Sequence, residues 1–114
     1  MKVPRDAVLL RIFIGEDDRH GNTPLYEAIV LKAREMGLAG ATVLRGPIGF
    51  GHSSHLHTTK ILRLSQDLPI LIEMVDSREK IDAFTPVLDT MMGSGLVTLQ
   101  EVQVIQYGEE RNGD

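Results

Sequence analysis

The fold turns on residues 68–91, "LPILIEMVDSREKIDAFTPVLDTM". The first eight, Leu68 to Val75, read as a strand with Leu71, Glu73 and Val75 on one face. The rest reads as a helix. Asp76 is a plausible N-cap with Glu79 three residues on, an aspartate version of the capping box. Ile81, Phe84, Leu88 and Met91 follow as an apolar stripe at helical spacing. Pro86 falls inside the stripe and should kink or split the helix. Gly93 ends it.

Working outward, Ala7–Ile14, "AVLLRIFI", is a first strand, with Val8, Leu10, Ile12 and Ile14 on one face and Leu9, Arg11 and Phe13 on the other. The turn "GEDDRHGN" follows. A first helix is expected from Thr23 as N-cap and Pro24 at the first helical position, stopping at Gly37. A second strand covers roughly Ala41–Arg45. A last strand runs from about Leu96 to Tyr107, with a bulge expected near Gln100–Glu101, where its alternation slips. The order is β-α-β-β-α-β, so the expected fold is α+β. It is a ferredoxin-like βαββαβ sandwich, a single domain over residues 1–114, with a four-stranded antiparallel sheet and both helices on one face.

That arrangement leaves one sheet face without helices. Its expected members are Leu9, Arg11 and Phe13, then Leu71, Glu73 and Val75, then Gln103, Ile105 and Tyr107. The first and third strands are central neighbours in this topology, so Arg11 and Glu73 can pair. The face is too apolar for open water, which argues for packing between copies of the chain. A monomer with an amphipathic exposed face is the alternative.

Composition narrows the function classes. The 114 residues carry a formal charge of -4, and no basic stripe marks a nucleic-acid footprint. Without cysteine there are no disulfides, thiol nucleophiles or thiolate metal sites. No apolar run approaches a spanning helix, and the N-terminus lacks a signal-peptide pattern. A cytoplasmic location is the expectation.

The chemistry-bearing stretch is Gly46–Lys60, "GPIGFGHSSHLHTTK", which holds three of the four histidines. It opens a connection of more than twenty residues between the second and third strands, and connections that long usually serve a function or are disordered. Its glycines let backbone N–H groups approach a ligand, and Arg45, His57 and Lys60 can balance phosphate charge. Neither GxxxxGK[ST] nor GxGxxG occurs, so a glycine-punctuated arm without ligand remains open. His52, His55 and His57 form an alternative metal set, with imidazoles suited to zinc or copper but no carboxylate close by. Three carboxylates in "GEDDR", Gly15 to Arg19, can hold magnesium or simply be solvated. No catalytic constellation is visible. The turn "MMGSGLV", Met91 to Val97, places Gly93 and Gly95 around Ser94. Chain direction puts that turn at the same end of the sheet as the exit of strand two. Arg45–Gly51 and Gly93–Gly95 can therefore converge, within one subunit or across a neighbour.

Four long stretches, "RIFIGEDDRHGNTPLYEAIV", "AREMGLAGATVLRGPIGFG", "HTTKILRLSQDLPILIEMVD" and "GLVTLQEVQVI", carry a resemblance over nearly the whole chain. The chain resembles the uncharacterised prokaryotic family called domain of unknown function 190, considered similar in fold to the PII signal proteins. The resemblance implies a trimer with inward-facing sheets and an adenine nucleotide in clefts between subunits. It also implies that the segment from residue 46 to about residue 66 is a T-loop-like arm that signals to a protein partner, a membrane protein among the candidates. Met92–Gly93–Ser94–Gly95 resembles the glycine-flanked part of the phosphate-cradling B-loop. One departure matters: the PII pattern follows its glycines with a lysine, and this chain has Leu96. The last strand also carries Gln103 and Gln106 in place of a basic cluster. Fewer cations neutralise a triphosphate less well, which favours AMP or ADP over ATP. The arm has no tyrosine, so tyrosine modification on it is excluded.

The favoured function is therefore a trimeric, nucleotide-responsive regulator, with Arg45, Gly46, Gly49, Gly51, His57, Lys60, Gly93, Ser94 and Gly95 at its site. A metal-tolerance or metal-sensing protein using the arm's histidines is the first alternative. A metal-dependent hydrolase using the "GEDDR" carboxylates is the second.

Overall fold

A computed structural model describes residues 2–51, 57–58 and 67–113. Four strands, β1 (Asp6–Gly15), β2 (Thr42–Arg45), β3 (Pro69–Asp76) and β4 (Leu96–Gln103), form one antiparallel sheet in the order β2-β3-β1-β4. The helices are α1 (Leu25–Glu35) and α2 (Arg78–Met91). Buried Val8, Leu10, Ile12 and Ile14 of β1 and Ile70, Ile72 and Met74 of β3 meet Leu25, Ile29 and Ala33 of α1 and Ile81, Phe84 and Leu88 of α2 in one core. Both helices thus lie on the same sheet face, and the ferredoxin-like sandwich read from the sequence is the observed fold. Among the described residues no helix is long and apolar enough to cross a membrane.

The free face follows from strand register, because directly opposed residues project to the same side. Leu9 opposes Val75 and Gln100, Arg11 opposes Glu73 and Thr98, and Phe13 opposes Leu71 and Leu96. At its centre the Arg11 Nε donates to Glu73 Oε2 at 2.8 Å. On β4, however, the free face is Leu96, Thr98, Gln100 and Val102, not Gln103, Ile105 and Tyr107. The pairing with β1 runs from Phe13–Leu96 to Asp6–Gln103 without interruption, so the bulge expected at Gln100–Glu101 is absent. The strand ends at Gln103 instead. Val104 N–H then donates to the Arg5 carbonyl at 2.7 Å, and Gln106–Tyr107 folds back on Glu110–Arg111 as a small ribbon.

The helix ends depart from expectation for local reasons. Thr23 does not cap α1. Thr23–Pro24 pairs with Arg19–His20 in a two-residue ribbon, Pro24 is the N-cap, and the Leu25 N–H donates to the Asp18 carbonyl at 2.8 Å. At the other end Leu38 N–H reaches the Ala33 carbonyl at 3.0 Å and Gly37 N–H the Arg34 carbonyl at 3.1 Å, a Schellman closure with Gly37 at φ 81°. Asp76 does not cap α2 either. Ser77 does, its hydroxyl accepting from Lys80 N–H at 3.2 Å. The buried Asp76 carboxylate accepts from Ala39 N–H at 2.8 Å and Ser77 N–H at 2.7 Å, tying the α1–β2 link to the start of α2. Pro86 does not split the helix, which runs unbroken from Arg78 to Met91. The Thr85 hydroxyl donates to the Ile81 carbonyl at 2.8 Å, next to the Asp82 carbonyl whose usual donor the proline removes.

Candidate functional site

At one end of the sheet three connections meet: the β1–α1 turn, the two roots of the arm, and the α2–β4 turn. The arm leaves β2 over the ring of Pro69. Gly46 N–H donates to the Pro69 carbonyl at 2.8 Å. A Cβ added at Gly46 would lie 2.9 Å from Pro69 Cγ, so a side chain there would force the arm or the ring to shift, and one at Gly49, at 3.1 Å, would need the ring to give by a few tenths of an ångström. Ile48–Gly49 then pairs antiparallel with His57–Thr58, so the arm starts as a two-stranded ribbon. Phe50 is 70% exposed.

The returning root is fastened to the "GEDD" turn. Glu16 N–H donates to the Leu68 carbonyl and Asp17 N–H to Asp67 Oδ1, both at 2.8 Å. Asp18 Oδ2 accepts from Gly15 N–H at 2.9 Å. The Arg45 guanidinium forms an ion pair with the Glu16 carboxylate. The Glu16 and Asp18 carboxylates are therefore engaged in holding the arm and the turn's own backbone. Among the described residues no three histidine, aspartate or glutamate side chains come together as a metal-binding group.

The α2–β4 turn closes the third side. Its two glycines are not equivalent. Gly93 has open space around it, whereas Gly95 has φ 140° and a Cβ there would meet the Phe13 carbonyl oxygen at 2.8 Å and Met92 Cε at 2.7 Å. Only glycine lets this turn lie flat against the end of β1.

Between these elements lies an open cleft of about 660 Å³. Gly46, Gly49 and Gly51 of the arm face Ser94 and Gly95 across it, within one subunit. The convergence inferred from chain direction is thus present. Arg45 and Gly93 do not line the cleft. The backbone of His57 lies opposite Gly49, while His52, His55 and Lys60 lie outside the described residues. What sequence reasoning missed is the rest of the lining. Phe13, Leu71 and Leu96 extend the free sheet face into the cleft, Phe50 and Pro69 add apolar surface, and Asp18 and Asp67 are its described charged residues. The adjacency of Asp67 to Gly15 could not be read from spacing, because it depends on where the arm returns.

Comparison with known proteins places the fold. The DUF190 family model, described as an uncharacterized ACR, matches residues 7–104. A UPF0166 protein of Aquifex aeolicus is 39% identical over 99 residues, 85% of this chain and 91% of the relative. Among solved structures, CPII of Thiomonas intermedia K12, a nitrogen regulatory PII-like protein bound to ADP, AMP and bicarbonate, superposes with a TM-score of 0.59 at 18% identity, covering 87% of this chain and 88% of that one. The GlnK–ATP complex of B. subtilis does so at 0.57 and 13%, covering 91% and 90%. These likenesses are of fold. With the matched family model covering residues 7–104, both helices and nearly all of the sheet, the chain belongs to the DUF190 family of uncharacterized proteins, whose fold here is PII-like.

Proposed function

We propose that this protein is a PII-like regulator that assembles as a homotrimer, holds AMP or ADP in clefts between subunits, and presents its arm at residues 46–66 to a protein partner. The observation that carries the reading is the cleft, which in each subunit opens onto the sheet face that a second copy would cover. The glycines at the root of the arm and the Ser94–Gly95 turn face one another across a space sized for a small ligand. Two PII-fold neighbours support the ligand class, since CPII was solved with ADP and AMP and GlnK with ATP. Arg45, His57 and Lys60 are the groups assigned to balance phosphate charge, Arg45 by leaving Glu16. Leu96 stands where a lysine would follow the glycines, and the described charges facing the cleft are Asp18 and Asp67. Both features disfavour a triphosphate. Because the ligand touches the root of the arm, occupancy biases what the arm docks onto.

Calorimetric titration with AMP, ADP and ATP, beside zinc and copper, tests this. Saturable binding of AMP or ADP supports the proposal. ATP binding far more tightly than AMP overturns the ligand preference. Metal binding without nucleotide binding overturns the regulator reading.

A further inference from the structure

Phe50 is the most exposed of the large hydrophobic side chains among the described residues, at 70%, and it lines the cleft. It follows Gly49, which is held over the Pro69 ring, so the root of the arm sets where the phenyl ring starts. Around it the lining is apolar, from Phe13, Pro69, Leu71 and Leu96, and its described charged members, Asp18 and Asp67, repel phosphate. A wall of this kind suits a flat, uncharged, hydrogen-donating ring. It does not suit the anionic end of the same ligand.

We infer that Phe50 is the aromatic platform on which the ligand's base stacks, so that this side of the cleft takes the nucleobase and the phosphates point away from it. The inference rests on the nucleotide reading above. Stacking of a base on an aromatic side chain contributes enough that its loss weakens binding by about tenfold or more. A ring is what the position requires, not bulk.

The test compares AMP affinity in the wild type with Phe50→Leu and Phe50→Trp, with assembly followed by light scattering. The chain has no tryptophan, so the introduced indole is the sole one and reports on its own surroundings. The expected result is about tenfold weaker AMP binding for Phe50→Leu, with affinity retained in Phe50→Trp. Its emission should be quenched by AMP but not by ribose 5-phosphate. Equal affinity in the wild type and Phe50→Leu overturns the inference and leaves nucleotide binding standing. A Phe50→Leu variant that changes its assembly state also overturns it, because the ring then packs against a second copy. A wild type that binds no adenine nucleotide overturns this inference and the proposed function together.

Discussion

Replacing Gly95 by alanine separates two glycines that look alike in the sequence "GSG". The added methyl would sit 2.8 Å from the Phe13 carbonyl oxygen, 2.7 Å from Met92 Cε and 3.2 Å from Ile14 Cγ2. Met92 can swing aside. The carbonyl cannot, because Phe13 is held between Leu71 and Leu96 in the ladder. Two costs add. A non-glycine residue at φ 140° carries about 1–3 kcal/mol of backbone strain. Forcing a methyl into occupied space costs about another 1–3 kcal/mol. The sum, about 2–6 kcal/mol, is a large share of the roughly 5–15 kcal/mol that holds a domain folded. For a chain of 114 residues this corresponds to a melting temperature lower by about 8–25 °C. Gly93→Ala is the internal control: nothing lies within 4 Å of its added Cβ, so it should leave stability nearly unchanged. Urea denaturation of both variants, with and without AMP, is the assay. If Gly95→Ala comes within about 0.5 kcal/mol of Gly93→Ala, the α2–β4 turn does not press on β1 and the steric argument is wrong.

Three further predictions follow from other parts of the same structure. Asp76→Asn keeps one acceptor oxygen but turns an amide N–H2 toward a backbone N–H, with Ala39 or Ser77 losing its partner; chemical denaturation should show a loss of about 2 kcal/mol, and a change under about 0.5 kcal/mol would mean that the buried contact contributes nothing. Glu16→Gln releases Arg45 from its ion pair at a stability cost below about 1 kcal/mol; AMP affinity should rise by about two- to fivefold as the guanidinium becomes available to phosphate, and an unchanged affinity would remove Arg45 from the site. Leu96→Glu places a carboxylate on the free sheet face, at a side chain 56% exposed in the single chain; light scattering should show smaller assemblies with the subunit still folded, whereas an unaltered assembly would mean that copies associate elsewhere.

The alternation of β1 and β3 was legible because both strands are central and bury one full face. The edge strand β4 was not. It has apolar residues on both sides, with Leu96 on one and Val97 and Leu99 on the other all exposed, so periodicity alone did not fix its parity. Capping failed in a similar way. Asp76 and Ser77 are adjacent and both suited to the role, and what decides between them is Ala39, a residue far away in sequence that claims the Asp76 carboxylate. Pro24 replaced Thr23 because a short ribbon with Arg19–His20 used the threonine first. In the cleft, glycines announced themselves as turn residues. Phe50 and Asp67 gave no such signal, since their place there depends on exposure and on where the arm returns to the sheet.

The free face and the cleft are one surface. Phe13, Leu71 and Leu96 belong to the face that has no helices, and the same three side chains form a wall of the cleft. Covering that face with another copy therefore changes the site, and filling the site changes what the face presents. The Arg11–Glu73 pair lies in the middle of the face, partly exposed at 39% and 30% of its side chains, and Gln100 reaches toward the same guanidinium at 3.5 Å. In the single chain such a pair contributes at most about 1 kcal/mol. Once a neighbouring copy excludes water from it, an unpaired Arg11 or Glu73 becomes costly, and the pair acts as a register mark among otherwise apolar contacts. Glu73→Ala should accordingly do little to the isolated subunit and much more to its association. Dilution experiments separate the two. An equal loss in both would mean that the face stays open to water and that the cleft is completed without a second copy.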